Sequence, residues 1–168
     1  EIHVQLKTES KMFCSCRNDP NASEPNVNIC PVCIGVVGAL PRLNRKAIDH
    51  AIKLGLALGC KIAPHCKWDR KNYFYPDLPK GFQISQYDAP LAQEGLMEIL
   101  AEGGEYKFIG INRVHLEEDA AKLIHATFET WVDFNRAGVP LLEIVTKPDL
   151  RSAADAESFM RELRRIRA

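Results

Sequence analysis

The segment Val139-Pro140-Leu141-Leu142-Glu143-Ile144-Val145 sets one carboxylate in the middle of an otherwise apolar run. A short run of this composition reads as a buried strand. Desolvating a carboxylate there is expensive unless a cation or hydrogen bonds hold it. Whatever the fold, it must bring such partners to Glu143, which on physical grounds has the strongest claim to a functional role.

A second concentration of charge is Arg113-Val114-His115-Leu116-Glu117-Glu118-Asp119. It follows a β-like run, Tyr106 to Asn112, so a strand delivers an Arg, a His and three consecutive carboxylates into one small volume. Such a cluster repels itself unless cations compensate it. Carboxylate oxygens are the hard ligands that Mg²⁺ prefers, with substrate phosphates completing its shell, and the competing reading is a solvated acidic turn. Simple alternation groups Arg113, His115 and Glu117 on one face. Glu118 joins them only if the strand ends early or a bulge intervenes. At the start of the chain, residues 1 to 7 alternate strictly, with Glu1, His3 and Gln5 on one face and Ile2, Val4 and Leu6 on the other.

Between Ser10 and Gly38 the chain is rich in Asn, Pro, Ser and Cys and has little periodicity. Four of the six cysteines fall here, as Cys14-x-Cys16 and Cys30-x-x-Cys33. Two close thiol pairs of this kind suit one tetrahedral ion, and in a cytosolic chain they indicate zinc rather than disulfides. Zinc held by Cys14, Cys16, Cys30 and Cys33 would close a loop that hydrophobic burial cannot order, and four protein ligands make it a structural ion. Free or redox-active thiols are the other reading.

Asn44 can cap a helix over roughly Arg45 to Leu58, with Ala47, Ile48, Ala51, Ile52 and Leu58 on an apolar stripe and Gly59 at the stop. Cys60 and Cys66 are expected to be buried thiols flanking a short strand. From Asp69 to Asp88, two prolines and Gly81 give a loop, after which Phe82, Ile84 and Gln86 alternate as a strand. Its cations interleaved with Tyr73, Phe74 and Tyr75 could grip phosphates and stack a base; an ordinary loop anchored by those aromatics is the alternative. A hairpin-like passage spans Glu94 to Glu105, and Phe128, Thr130, Val132 and Phe134 alternate as a further strand. Ser152 and Asp155 form a capping-box pattern opening a helix through Phe159, Leu163 and Ile166. Helices and strands mix without βαβ regularity, which favours α+β with a largely antiparallel sheet. No Walker A loop and no Gly-x-Gly-x-x-Gly occur, so any use of ATP proceeds without either device.

Lys plus Arg and Asp plus Glu both total 22, so no global field argues for a nucleic-acid or membrane partner. No apolar run approaches the roughly 20 residues of a membrane span, and the chain reads as cytoplasmic. Glu1 already reads as strand and Ala168 lies inside a helical pattern, so both ends look cut and the sequence is expected to be a fragment.

Several strings resemble the GatB family, the carboxylate-activating subunits of the aspartyl/glutamyl-tRNA amidotransferases. They are Glu1 to Thr8, Asp69 to Gln86, His115 to Ala120, Asp133 to Val145 and Lys147 to Ser152, in the same order and over essentially the whole chain. The resemblance implies residues 1–168 as the N-terminal part of a catalytic cradle domain, similar to the glutamine synthetase and guanido kinase superfamily. The Cys-rich zinc loop covers 10–38, and the remaining cradle, helical and tail domains would lie beyond it. It implies activation by ATP of the side-chain carboxylate of Glu-tRNA(Gln) or Asp-tRNA(Asn), then amidation by ammonia. The ammonia would be delivered from a glutaminase partner in the same heterotrimer, with a small third protein bracing the two. The resemblance assigns Mg²⁺ to Glu1, His3, Glu118 and Glu143, associates Lys71 and Lys80 with the ammonia path, and gives the four cysteines a zinc ion. Glu117 is the fallback ligand. The fragment alone is expected to be inactive. An archaeal relative, sharing the chemistry but specific for Glu-tRNA(Gln), is a neighbouring possibility, and a non-enzymatic zinc-containing RNA-binding module is a rival of a different class. That rival has no need for a carboxylate buried at Glu143, nor for Glu1 and His3 paired on one strand.

Overall fold

The computed structural model describes residues 1–167. The apolar run around Glu143 forms β9 (Pro140–Thr146), an inner strand of a five-stranded sheet in the order β1-β9-β6-β5-β2. Its neighbours are β1 (Ile2–Gln5) on one side and the 13-residue β6 (Tyr106–Glu118) on the other. Strand β5 (Ala92–Leu100) forms a hairpin with β6, and β2 (Lys61–Ile62) closes the far edge. All these pairings are antiparallel, as the absence of βαβ alternation led one to expect.

One face of the sheet is covered by α1 (Arg45–Ala57) and α2 (Ala153–Arg167). Asn44 caps α1, its Oδ1 accepting from the backbone N–H of Lys46 at 2.9 Å and of Ala47 at 3.3 Å. Gly59, at φ +67°, turns the chain out of the helix, a conformation that favours glycine. Ala47, Ala51 and Leu58 meet Ile109, Ile111, Val114 and Leu116 of β6 and Leu142 and Ile144 of β9 in one core, which Phe159 and Leu163 of α2 complete. Ile166 is instead partly open to solvent, at the edge of a groove with Val4, Leu6 and Leu54. The Ser152 hydroxyl accepts from the Asp155 N–H at 3.0 Å, but the Asp155 carboxylate turns to Arg151 N–H and to Lys107 rather than back to Ser152. Only half of the capping box is therefore formed.

Two separate hairpins flank the sheet. Asp69–Asn72, expected as loop, is strand β3, paired with β4 (Phe82–Ser85) across the Pro- and Gly-containing turn. Strands β7 (Lys122–His125) and β8 (Thr130–Asp133) form the other. The alternation from Phe128 onward yields only this short strand, and Phe128 is 98% exposed at the hairpin tip. Of the two thiols expected to be buried, Cys60 lies under Gly95, while Cys66 is exposed in the turn between β2 and β3. No helix among the described residues is long and apolar enough to cross a membrane.

Strand β6 carries one irregularity that matters for the site. Its register against β9 shifts between Ile111 and Arg113. Before the shift Ile109 and Ile111 point to the helices; after it Val114 and Leu116 do. Arg113, His115 and Glu117 consequently share the opposite face.

Candidate metal centres

That opposite face opens into a cleft of about 1460 Å³, larger than the roughly 300–1,000 Å³ of a single small-ligand pocket. Three strands supply its floor in register: His3 pairs with Glu143, and Glu143 with His115. Because paired residues of adjacent strands point the same way, this row converges with Glu117 on one spot. His3 Nε2 lies 3.5 Å from Glu117 Oε1 and 3.6 Å from Glu143 Oε2. His3, Glu117 and Glu143 offer ligand atoms all within 4.8 Å of one another and could hold a metal ion. Lys67, Arg70, Lys71 and Arg113 line the rim together with Asp69, Asp88 and Asp119, and Lys67 is paired with Asp69 at 3.1 Å and Asp88 at 2.9 Å.

The buried strand's carboxylate finds the partners its position requires. Glu143 is 8% exposed. The His115 ring bonds to it, and the neighbouring His3 and Arg113 add to the effect, so that its pKa is held down to about 2 against the opposing influence of burial. Burial pushes the His115 pKa down, but the Glu117 and Glu143 carboxylates outweigh it and the net shift is upward. Glu117 also accepts from the Ser85 hydroxyl at 3.2 Å, which ties the site to β4.

Adjacent Glu118 points away from this cluster, because β6 runs on through Glu118 without a bulge at its end. Its Oε1 accepts from Lys80 Nζ at 2.5 Å and from the Ile84 N–H at 3.0 Å, and its side chain is 2% exposed. The structure thus brings Glu117, and not the expected Glu118, to His3 and Glu143. Glu1 lines the same cleft outside the three-residue group. Lys71 lies exposed on β3 at the cleft wall, while Lys80 is drawn inside by Glu118, so the two lysines occupy different environments.

The second cluster is the thiol loop. The sulfurs of Cys14, Cys16, Cys30 and Cys33 also lie within 4.8 Å of one another, and none is in a disulfide. Cys30 and Cys33 sulfurs are 3.9 Å apart. Tetrahedral ligation at a Zn–S distance of ~2.3 Å places sulfurs about 3.8 Å apart, so the donor set fits a zinc-sized ion. Cys14 donates to Cys33, whose pKa falls to about 5, whereas Cys14 is shifted strongly upward by that same bond and by burial. Burial and the neighbouring sulfurs raise Cys16 to about 11.

Lys11, wholly buried, reaches Cys33 Sγ at 3.7 Å and the carbonyls of Asn28 and Phe134 at 2.7 and 3.2 Å. No sequence pattern singled it out; a lysine three residues before a cysteine pair is unremarkable until the fold encloses it. His115 did share a face with Glu117 by alternation, and that alternation was the available signal.

The loop is also fastened to Lys80, with which Gly35 lines a groove beside the cleft. Gly35, at φ +76°, sits so close to Lys80 that an added Cβ would fall 2.6 Å from Lys80 Cγ and 2.9 Å from its Cα. Gly138 lies similarly between Cys33 and the Glu118 carboxylate.

The described residues form an α+β domain with two groups that could hold a metal ion, His3, Glu117 and Glu143 in an open cleft and four thiols in a loop. A family profile described as GatB/GatE catalytic domain matches residues 1–168, and the chain belongs to this family. Among curated relatives, the GatB protein of the aspartyl/glutamyl-tRNA(Asn/Gln) amidotransferase of Thermodesulfovibrio yellowstonii is 56% identical over 99% of this chain. The proteins of the same name from Symbiobacterium thermophilum and Clostridium tetani are 55% and 51% identical over 99% and 100% of it. The chain spans 35% of the length of each of these relatives.

Proposed function

We propose that this chain is the carboxylate-activating part of a GatB protein in a tRNA-dependent amidotransferase, with a cradle-type fold. In the reaction, a side-chain carboxylate oxygen of Glu-tRNA(Gln) or Asp-tRNA(Asn) attacks the γ-phosphorus of ATP and ADP leaves. Ammonia from a glutaminase partner then attacks the carbonyl carbon of the acyl phosphate, phosphate departs, and the side chain is left as an amide. The observation that supports this best is the convergence of His3, Glu117 and Glu143 at the floor of a cleft rimmed by Lys67, Arg70, Lys71 and Arg113. A divalent cation held by the floor carboxylates, together with the cations at the rim, would offset the charge of a polyphosphate.

A Mg²⁺ ion held by Glu117 and Glu143, with His3 beside it, would neutralise phosphate oxygens and hold donor and acceptor in line. The chain's own groups do the rest. Arg70, Lys71 and Arg113 orient anionic oxygens at the rim. Ser85 and His115 bond to the two carboxylates and aim them. Lys80, pinned by Glu118, lines the apolar groove beside the cleft, along which ammonia can approach sheltered from water. Zinc in the four-cysteine loop is structural and holds Gly35 against Lys80. The glutaminase and the small bracing protein, the mischarged tRNA and a cytoplasmic site of action complete the reading.

Glu143→Gln, placed in the assembled amidotransferase, is expected to abolish release of phosphate from ATP in the presence of Glu-tRNA(Gln), with part of the glutaminase activity surviving. Unchanged turnover would refute the assignment. The RNA-binding-module alternative leaves the buried His115–Glu143 row without purpose, and Mg²⁺-dependent nucleotide binding would exclude it.

A further inference from the structure

His115 is almost wholly enclosed, its side chain 3% exposed, and it bridges groups of opposite sign. Its Nε2 lies 3.2 Å from Glu143 Oε2 and 3.6 Å from Glu117 Oε2, while its Nδ1 accepts from Arg113 Nε at 3.4 Å. We infer that Arg113 and His115 form a relay that holds the Glu117 and Glu143 carboxylates from their buried side in the arrangement that meets His3. His115 is thus a positioning residue, and the inference rests on the metal reading proposed above.

A guanidinium Nε always bears a hydrogen, so the ring nitrogen facing it is an acceptor. The proton of the neutral ring is thereby assigned to Nε2, and Nε2 faces both carboxylates. Two buried carboxylates brought together repel, and a shared donor between them offsets that repulsion without occupying the cleft. The ring cannot easily turn away, because it lies in an inner strand packed against β4 and its Arg113 partner stacks 5.7 Å over the Tyr87 ring. Sequence alternation alone places His115 beside Glu117; the cross-strand row adds Glu143 and fixes which nitrogen meets it. The side chain therefore orients ligands without being one, the reverse of the usual arrangement in which a carboxylate orients a ligating histidine.

The test uses the full-length protein with Mn²⁺ as the probe ion, followed by calorimetry. His115→Gln keeps an amide N–H near the Nε2 position, His115→Asn keeps one only near Nδ1, and His115→Ala keeps neither. The Ala and Asn variants are expected to weaken Mn²⁺ binding by about 10–100-fold, and Gln to retain most of it. Nitrogen-15 spectra of the wild-type ring in mildly alkaline buffer are expected to show the proton on Nε2. Wild-type Mn²⁺ affinity in the Ala variant, equal retention by Asn and Gln, or a ring protonated on Nδ1 would each overturn the relay. Glu143→Gln with unaltered Mn²⁺ affinity would instead sink the metal reading itself, and the tautomer, read without metal, would still decide the relay.

Discussion

Glu117 and Glu118 are chemically identical neighbours whose surroundings give them opposite tasks. Glu117 faces His3 and the cleft; Glu118 is an inward ion pair with Lys80. Glu117→Gln is expected to lose divalent-ion binding with a small change in stability. Glu118→Gln leaves Lys80 buried without its counter-charge and is expected to cost about 3–5 kcal/mol, seen as a lower urea midpoint, with ion binding retained. Calorimetric Mn²⁺ titration beside urea unfolding separates the two, and equal behaviour of the pair would contradict this division. Period-two alternation already pointed to Glu117, and family resemblance to Glu118. The geometry follows the alternation, since an unbroken strand cannot send consecutive side chains to one face.

At the level of elements, each helix is held by a few polar contacts that can be tested singly. Asn44 caps α1 and also donates to the carbonyls of Ser10 and Lys11, so it joins the helix to the thiol loop. Asn44→Ala is expected to lower stability by about 1–2 kcal/mol in urea unfolding. Lys107, then the Arg151 N–H, hold the Asp155 pKa below its ordinary value of 3.8. A depressed carboxylate contributes stability above its unfolded pKa and loses it as pH falls through the folded value. Asp155→Asn should therefore be less stable than wild type at neutral pH, with the difference closing as urea midpoints are taken well below pH 3.8. Helix α1 with its cap and its glycine stop, the first strand and the Glu143 strand were all legible, because caps and alternation are local signals. Strand β3 was not. Asp-Arg-Lys-Asn has little intrinsic strand preference, and only pairing with Phe82–Ser85 makes it one, a contact between residues far apart in sequence.

In the molecule as a whole the thiol loop packs through Gly35 and Gly138 against Lys80 and Glu118, the ion pair next in sequence to the cleft residue Glu117. Purified protein is expected to carry one equivalent of zinc by elemental analysis; less than half an equivalent with four titratable thiols would refute it. Cys33→Ser should release the metal and lower the melting temperature. The identity of the ion pairs was beyond the sequence because they join residues such as Lys80 and Glu118 through tertiary packing, whereas the four cysteines announced themselves by spacing. The register shift between Ile111 and Arg113 governs which side of the sheet is chemical. It acts as a phase reset, handing odd-numbered positions from the oily side to the wet side midway along one strand. Excising Asn112 would leave Val114 and Leu116 inward and Arg113, His115 and Glu117 outward in plain alternation, but would strip Glu94 of its opposite number and put β6 out of step with β5. At this position the chain should tolerate substitution far more readily than a change of length.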